Sequence, residues 1–265
     1  VVLHFDGLSL LLALTVLVLG TLVTIYSFTY MQAEVGEEKY YALLVMMIGM
    51  IIGLGCANDL FNLWIWFEGM AITSFMLVAF YRDSATSLEA GVKYLVQSAV
   101  GSVFVLLGIA LTFAYTGVLD LDVMAETTYN MGGSPIMLAA GAFFLIGFGV
   151  KTALVPMHTW LPDAHSQAPS GISAMLSGVV ISAGLVALLR AISPFIFLTP
   201  MWTFILLGMA ALNILAGNLM ALRQTQVKRL LAYSSLAHIG YMLIGIAVTL
   251  GTGETTGAAG GFFHL

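Results

Sequence analysis

About eight times in 265 residues the chain runs through some twenty consecutive, mostly apolar positions. Wound as a helix rising ~1.5 Å per residue, such a run crosses the ~30 Å hydrocarbon core of a bilayer. The fold class that follows is an all-α membrane protein. Its spans are read at roughly 8–31, 40–57, 60–81, 87–116, 134–157, 170–190, 200–222 and 228–250. The rest of the composition agrees: 60 % of residues are hydrophobic and only 8 % are charged, with a mean hydropathy of +1.04. A soluble domain carries about 25 % charge, so this chain has too little polar surface to cover itself in water. One apolar run near the N-terminus could be a signal peptide, but eight cannot. The net charge of −5 is small and scattered, which gives no case for a nucleic-acid partner. Cys56 stands alone, which excludes disulfides and cysteine-based metal sites within the chain.

The sequence opens on Val1 and stops at Phe262-Phe263-His264-Leu265, where a further apolar segment starts. An internal piece of a longer polypeptide is the expectation. No repeat, heptad or low-complexity stretch stands out, so residues 1–265 are read as one transmembrane domain. Two boundaries have local causes. Thr86-x-x-Glu89 reads as a capping box ahead of the fourth span, and Ser134-Pro135 as a cap followed by proline at the first helical position. Alternating the spans puts Lys39, Arg82, Arg223, Lys228 and Arg229 on one side. The other side has Arg190 and an acidic loop with Asp120, Asp122 and Glu126. By the positive-inside rule the first side faces the cytoplasm.

The remaining basic residues, Lys93 and Lys151, fall inside spans, as does Glu68, and His238 lies near the middle of the eighth. An ionisable group at that depth costs roughly 2.5–3.5 kcal/mol even on the lenient insertion scale. Pairing that merely glues helices together is one explanation; an ion or proton relay is the other. Burial favours the neutral amine of a lysine and a nearby carboxylate favours the ammonium. A Glu/Lys couple can therefore switch as well as brace. Gly147 and Gly149 precede Lys151 and Pro156 follows it, so the fifth span is expected to break around Lys151–Pro156 and free the carbonyl of Thr152. Interrupted helices mark binding sites in transporters. A simple proline kink is the bland alternative, and counting rise along the helices leaves Glu68 and Lys151 ~13 Å apart in level.

His158 and His165 lie in a polar, proline-rich stretch read as a loop, where they either pass protons or pack the loop. For His238 a hydrogen-bonded histidine between helices competes with a relay role. No HExxH, G-x-S-x-G or Walker loop is present. The glycine pairs 53/55, 147/149 and 251/253 each lack the third glycine of a dinucleotide site. Gly49-x-x-x-Gly53 is a weak helix-packing motif. No cofactor, redox or metal site is read in the chain, so driving energy must come from a partner or an ion gradient.

Five stretches carry a resemblance: Phe5-Asp6-Gly7-Leu8-Ser9; Asp59 to Leu63 with Phe67-Glu68; Glu89 to Tyr94; Gly149-Val150-Lys151 with His158 to Pro169 (HTWLPDAHSQAP); and Val227 to Ser235. The chain resembles the antiporter-like, proton-translocating membrane subunits of respiratory complex I, Mrp-type Na⁺/H⁺ antiporters and membrane-bound hydrogenases. The resemblance implies half of an inverted-repeat transporter fold with flanking helices. It implies other membrane subunits as partners, in a redox-driven oxidoreductase whose redox sites lie elsewhere, in a bacterial, archaeal or organellar energy-transducing membrane. Protons are the implied cargo, with Na⁺ the other candidate ion. Glu68 matches the family's glutamate that pairs with the broken-helix lysine, Lys151, and Lys93 matches a basic residue near that pair. Where the sixth span is expected to carry a central Lys or His, this chain has Ser177 and Ser182. A non-transporting spacer subunit is therefore the reading from a different class.

Overall fold

The computed structural model describes residues 3–32, 34–132, 134–196, 201–254 and 256–263. The helices are α1 (Gly7–Tyr30), α2 (Glu37–Cys56), α3 (Leu60–Val78), α4 (Ala85–Thr116), α5 (Leu121–Met131) and α6 (Pro135–Lys151), followed by α7 (Trp160–Gln167). After these, α8 (Ser170–Met175) runs through a π-turn (Leu176–Val180) into α9 (Ile181–Ile196). Then come α10 (Met201–Ala221), α11 (Val227–Thr252) and α12 (Thr256–Phe262). Seven of the described helical segments are long and apolar enough to cross a membrane, and α6 is a shorter apolar helix. Together they account for the eight expected crossings, and the protein is a multi-pass integral membrane protein.

Helix starts follow the side chains that can catch free N–H groups. Asp6 accepts from the Ser9 N–H and Ser9 Oγ accepts from the Asp6 N–H, a reciprocal cap for α1. Asp59 caps α3, Asp120 caps α5, and Ser134 with Pro135 caps α6 as expected. The fourth span departs from expectation. Ser84, not Thr86, is its cap, accepting from the Ser87 N–H, while the Thr86 hydroxyl bonds elsewhere. The acidic stretch after α4 forms α5, too short to span.

Asp120 bridges to Asp59, and Leu60 and Leu119 share a backbone hydrogen bond. This ties α5 to the same end of the molecule as the start of α3. There the Arg190 guanidinium of α9 meets Asp6 at 2.9 and 3.0 Å. Of the expected glycine packing motif, Gly53 is used: a Cβ there would meet the Trp66 ring at 2.5 Å, whereas Gly49 has nothing within 4 Å.

The break expected around Lys151–Pro156 is present: α6 ends at Lys151, and Pro156 lies in the connection to α7 and not as a kink in a continuing helix. Thr152 is the C-cap, and Ala153 takes a left-handed backbone with φ 56°. That conformation costs a non-glycine residue about 1–2 kcal/mol, and it is held here by full burial and by the Leu154 N–H bonding the Gly149 carbonyl at 2.8 Å. The Val155–Pro156 peptide bond is cis. The segment read as a loop from His158 also contains two turns of helix, α7, which packs on α4 and α11.

Candidate functional site

Lys151 is the last residue of α6 and its side chain is wholly buried. Its ammonium nitrogen donates to Ser74 Oγ of α3 at 3.0 Å and to Tyr94 Oη of α4 at 2.5 Å. Those two hydroxyls are 3.0 Å from each other, and the Lys151 nitrogen is 4.5 Å from the centre of the Tyr94 ring. Three helices thus converge on one nitrogen through neutral oxygen atoms. A hydroxyl both accepts and donates, so this cage can serve Lys151 as an ammonium, which only donates, or as an amine, which can also accept.

The far side of the cage is aromatic. Tyr94 stacks on Trp160 of α7 with centroids 3.9 Å apart and planes at 3°. Trp160 Nε1 donates to the Val150 carbonyl at 2.7 Å, satisfying a backbone group freed by the end of α6. Another tie is Asn213 of α10, fully buried. Its Oδ1 accepts from the Val155 N–H at 2.8 Å and its Nδ2 donates to the Leu236 carbonyl at 3.4 Å. The irregular backbone after Lys151 is therefore pinned by side chains from α7 and α10, as buried non-helical backbone in a membrane must be.

Glu68 makes no direct contact with Lys151 among the described residues. One of its carboxylate oxygens is buried without a hydrogen-bond partner, and the group lies within electrostatic reach of Lys151. The level gap expected from counting helical rise is real in kind. Lys151 is held at the level of Ser74, six residues along α3 from Glu68, or ~9 Å of helix. Phe67 and Phe148 pack edge-on between α3 and α6 one turn before the lysine, with centroids 5.1 Å apart.

Lys93 lies within the fourth span as expected, but it is not enclosed by protein. Its side chain is half exposed, 2.8 Å from Glu89 and 3.0 Å from Asp163. At 32 residues α4 runs about 48 Å, well past the ~30 Å of hydrocarbon, and Lys93 is its ninth residue. Of the histidines, His158 lies in the connection after α6, and its buried Nδ1 meets no hydrogen-bond partner of good geometry among the described residues. His165 lies in α7, is nearly inaccessible, and has an unpartnered Nε2. His238, on α11, is exposed and packs edge-on to Tyr241. It lines a cavity of about 190 Å³ with Ser177, Ser182 and Ser235. Ser177, within the π-turn, and Ser235 share a 2.5 Å hydrogen bond. No described contact joins any of the three histidines to the Lys151 cage.

The site residues to which sequence reasoning gave no role are Ser74, Tyr94 and Asn213. Tyr94 and Trp160 stood inside quoted motifs, but nothing there shows that they stack. Ser74 gives no signal beyond a hydroxyl within an apolar run.

Residues 57–265 match the protein family described as "NADH:quinone oxidoreductase/Mrp antiporter, TM", and residues 1–41 match "NADH-Ubiquinone oxidoreductase (complex I), chain 5 N-terminus". The chain is 36 % identical over 248 residues to F(420)H(2) dehydrogenase subunit N of Methanosarcina mazei, covering 93 % of this chain and 50 % of that protein. It is 35 % identical over 265 residues to NADH-quinone oxidoreductase subunit N of Trichlorobacter lovleyi, covering 98 % and 53 %. Among solved structures it is similar to a chain of an archaeal membrane-bound sulfane sulfur reductase, with a TM-score of 0.84, 30 % identity and coverage of 92 % and 50 %. A chain of respiratory complex I from Thermus thermophilus gives 0.78, 30 %, 96 % and 53 %. The chain spans about half the length of the curated relatives it matches. On the match from Ala57 to Leu265 and the shared helical architecture, the chain belongs to the NADH:quinone oxidoreductase/Mrp antiporter family of transmembrane subunits.

Proposed function

We propose that this chain is part of a proton-translocating, antiporter-like subunit of a redox-driven membrane complex, and that Lys151 is the proton carrier of its half-channel. The observation that carries this is a fully buried lysine whose nitrogen, among the described residues, hydrogen-bonds to two hydroxyl groups and to no carboxylate, at the broken end of a membrane helix. Holding a charge there is costly unless it is paired. Glu68 supplies the negative field that favours the ammonium, and moving that field away favours release of the proton. Other membrane subunits are the partners, and a redox module outside this chain supplies the energy. The names of its relatives, an NADH-quinone oxidoreductase subunit and an F(420)H(2) dehydrogenase subunit, support this. Sodium transport of the Mrp type is the second reading, favoured by the family description itself.

In the assembled complex carrying the full-length subunit, Lys151→Met should abolish redox-driven proton uptake by inverted membrane vesicles while the complex still assembles. Normal uptake by that variant would sink the reading. The segments 32–39, 82–86 and 223–228 are placed in the cytoplasm by their basic residues. Labelling of a cysteine introduced at position 84 from the outside of intact cells would reverse the orientation.

A further inference from the structure

The α4–α7 contact contains a second polar assembly, separate from the Lys151 cage but sharing its walls. Thr86 of α4 donates to Gln167, Lys93 donates to Asp163 at 3.0 Å, and Gln97 donates to the Thr159 hydroxyl. These three rungs descend α4 at steps of seven and four residues as they climb back along α7 to its N-cap Thr159 at steps of four, spacings that keep side chains on one helix face. Asp163 is the hub. One carboxylate oxygen takes Lys93 of α4 and the other takes Arg229 of α11. A cavity of about 140 Å³ opens beside them, lined also by Glu89, Ser166 and Gln167.

We propose that Asp163 is a positioning residue: by joining Lys93 on α4 to Arg229 on α11 it fixes α7, and through the Trp160–Tyr94 stack it holds the hydroxyl that binds Lys151. The argument is geometric. With only 8 residues, α7 is too short to be a stable helix by itself, so its placement depends on what its side chains grip. Trp160 is three residues before Asp163, on the same face of α7. Lys93 and Tyr94 are consecutive on α4. The ion pair and the aromatic stack are thus adjacent contacts between the same two helices, and the second is the back wall of the Lys151 cage. Exposed ion pairs contribute little to stability as such. A carboxylate shared between two helices instead specifies where the third one sits.

The inference rests on the reading of Lys151 as the proton carrier, and its test separates the two. The charged and titratable groups facing Asp163 are Lys93 and Glu89 from α4 and Arg229 and Tyr233 from α11. The full-length subunit in its assembled complex is prepared with and without Trp160→Phe, for the parent and for each variant, so that the difference spectrum reports Trp160 alone. Proton uptake is then followed against pH, together with Trp160 emission. Asp163→Asn should cut uptake about tenfold, the order expected for losing a charge-assisted hydrogen bond. It should also displace the pH profile and shift Trp160 emission to the red. Asp163→Glu should restore profile and emission. If Asp163→Asn does not assemble, Arg229→Gln removes one arm of the hub and should shift both readouts the same way by less. A pH profile and emission that superimpose on the parent's in Asp163→Asn, or in Arg229→Gln where only that variant assembles, overturn the inference. Normal uptake by Lys151→Met overturns the carrier reading instead, and Trp160 emission still decides whether Asp163 sets α7.

Discussion

Replacing Gly147 by Ala adds one methyl group where α4 and α6 touch backbone to backbone. A Cβ at 147 would lie 2.6 Å from the Gly101 carbonyl oxygen and 2.9 Å from the Val105 nitrogen, neither of which can rotate away. A carbon–oxygen contact relaxes at about 3.3 Å, so α6 must back away from α4 by roughly 0.7 Å. Lys151 is four residues further along α6, on the same face. The same displacement would stretch its 2.5 Å bond to Tyr94 past ~3 Å. Overpacking of this kind costs about 1–3 kcal/mol of stability, which leaves a large membrane protein assembled. A misplacement approaching ~1 Å can cost up to ~100-fold in a reaction that needs the geometry, so a loss of tenfold or more in proton uptake is expected. Uptake by inverted vesicles, normalised to assembled complex, reads it.

The structure also fixes an order of severity. Gly101→Ala meets the Gly147 carbonyl at 2.9 Å, a smaller shortfall. For Gly108→Ala the three nearest atoms all belong to the ring of Phe144, a side chain and not backbone. Loss of uptake should therefore rank Gly147→Ala first, Gly101→Ala second and Gly108→Ala last. Wild-type uptake in Gly147→Ala, or the reverse order, would refute the link between helix separation and the Lys151 cage.

Other consequences are equally direct. For two charges on the order of 9 Å apart at an effective dielectric constant of ~20, the Glu68 carboxylate would be worth about 2 kcal/mol to a charged Lys151. Glu68→Gln should accordingly slow uptake by ten- to thirtyfold and Glu68→Asp by less; wild-type rates in both would remove Glu68 from the mechanism. Asp6→Asn deprives the buried Arg190 of its carboxylate. It should destabilise the detergent-solubilised protein by about 1–3 kcal/mol, read as earlier thermal unfolding, with no effect if water replaces the pair. For the double variant His158→Gln/His165→Gln, a changed pH profile of uptake is expected if the histidines deliver protons. An unchanged profile leaves them a purely structural role.

Much of this protein is legible in its sequence because one physical quantity dominates: the cost of placing polar groups in hydrocarbon. That cost forces apolar runs of membrane length, so the crossings could be placed within a few residues, and Gly147, Gly149, Lys151 and Pro156 together located the break. It also marked Lys151 and Glu68 as groups that must be compensated. Which atoms compensate them is a different matter, because it depends on the angular setting and tilt of helices far apart in the chain. Lys93 and Tyr94 are neighbours in sequence yet point about 100° apart around α4. The conspicuous charge turns outward to Asp163, and the unremarked tyrosine turns in to Lys151. Ser74 enters the site only because α3 and α6 pack at one depth, and Asn213 only because α10 lies behind the break. Hydrophobicity is a property of each residue and can be read one position at a time. The Lys151 cage is a property of how three helices meet, and it exists only once they have packed.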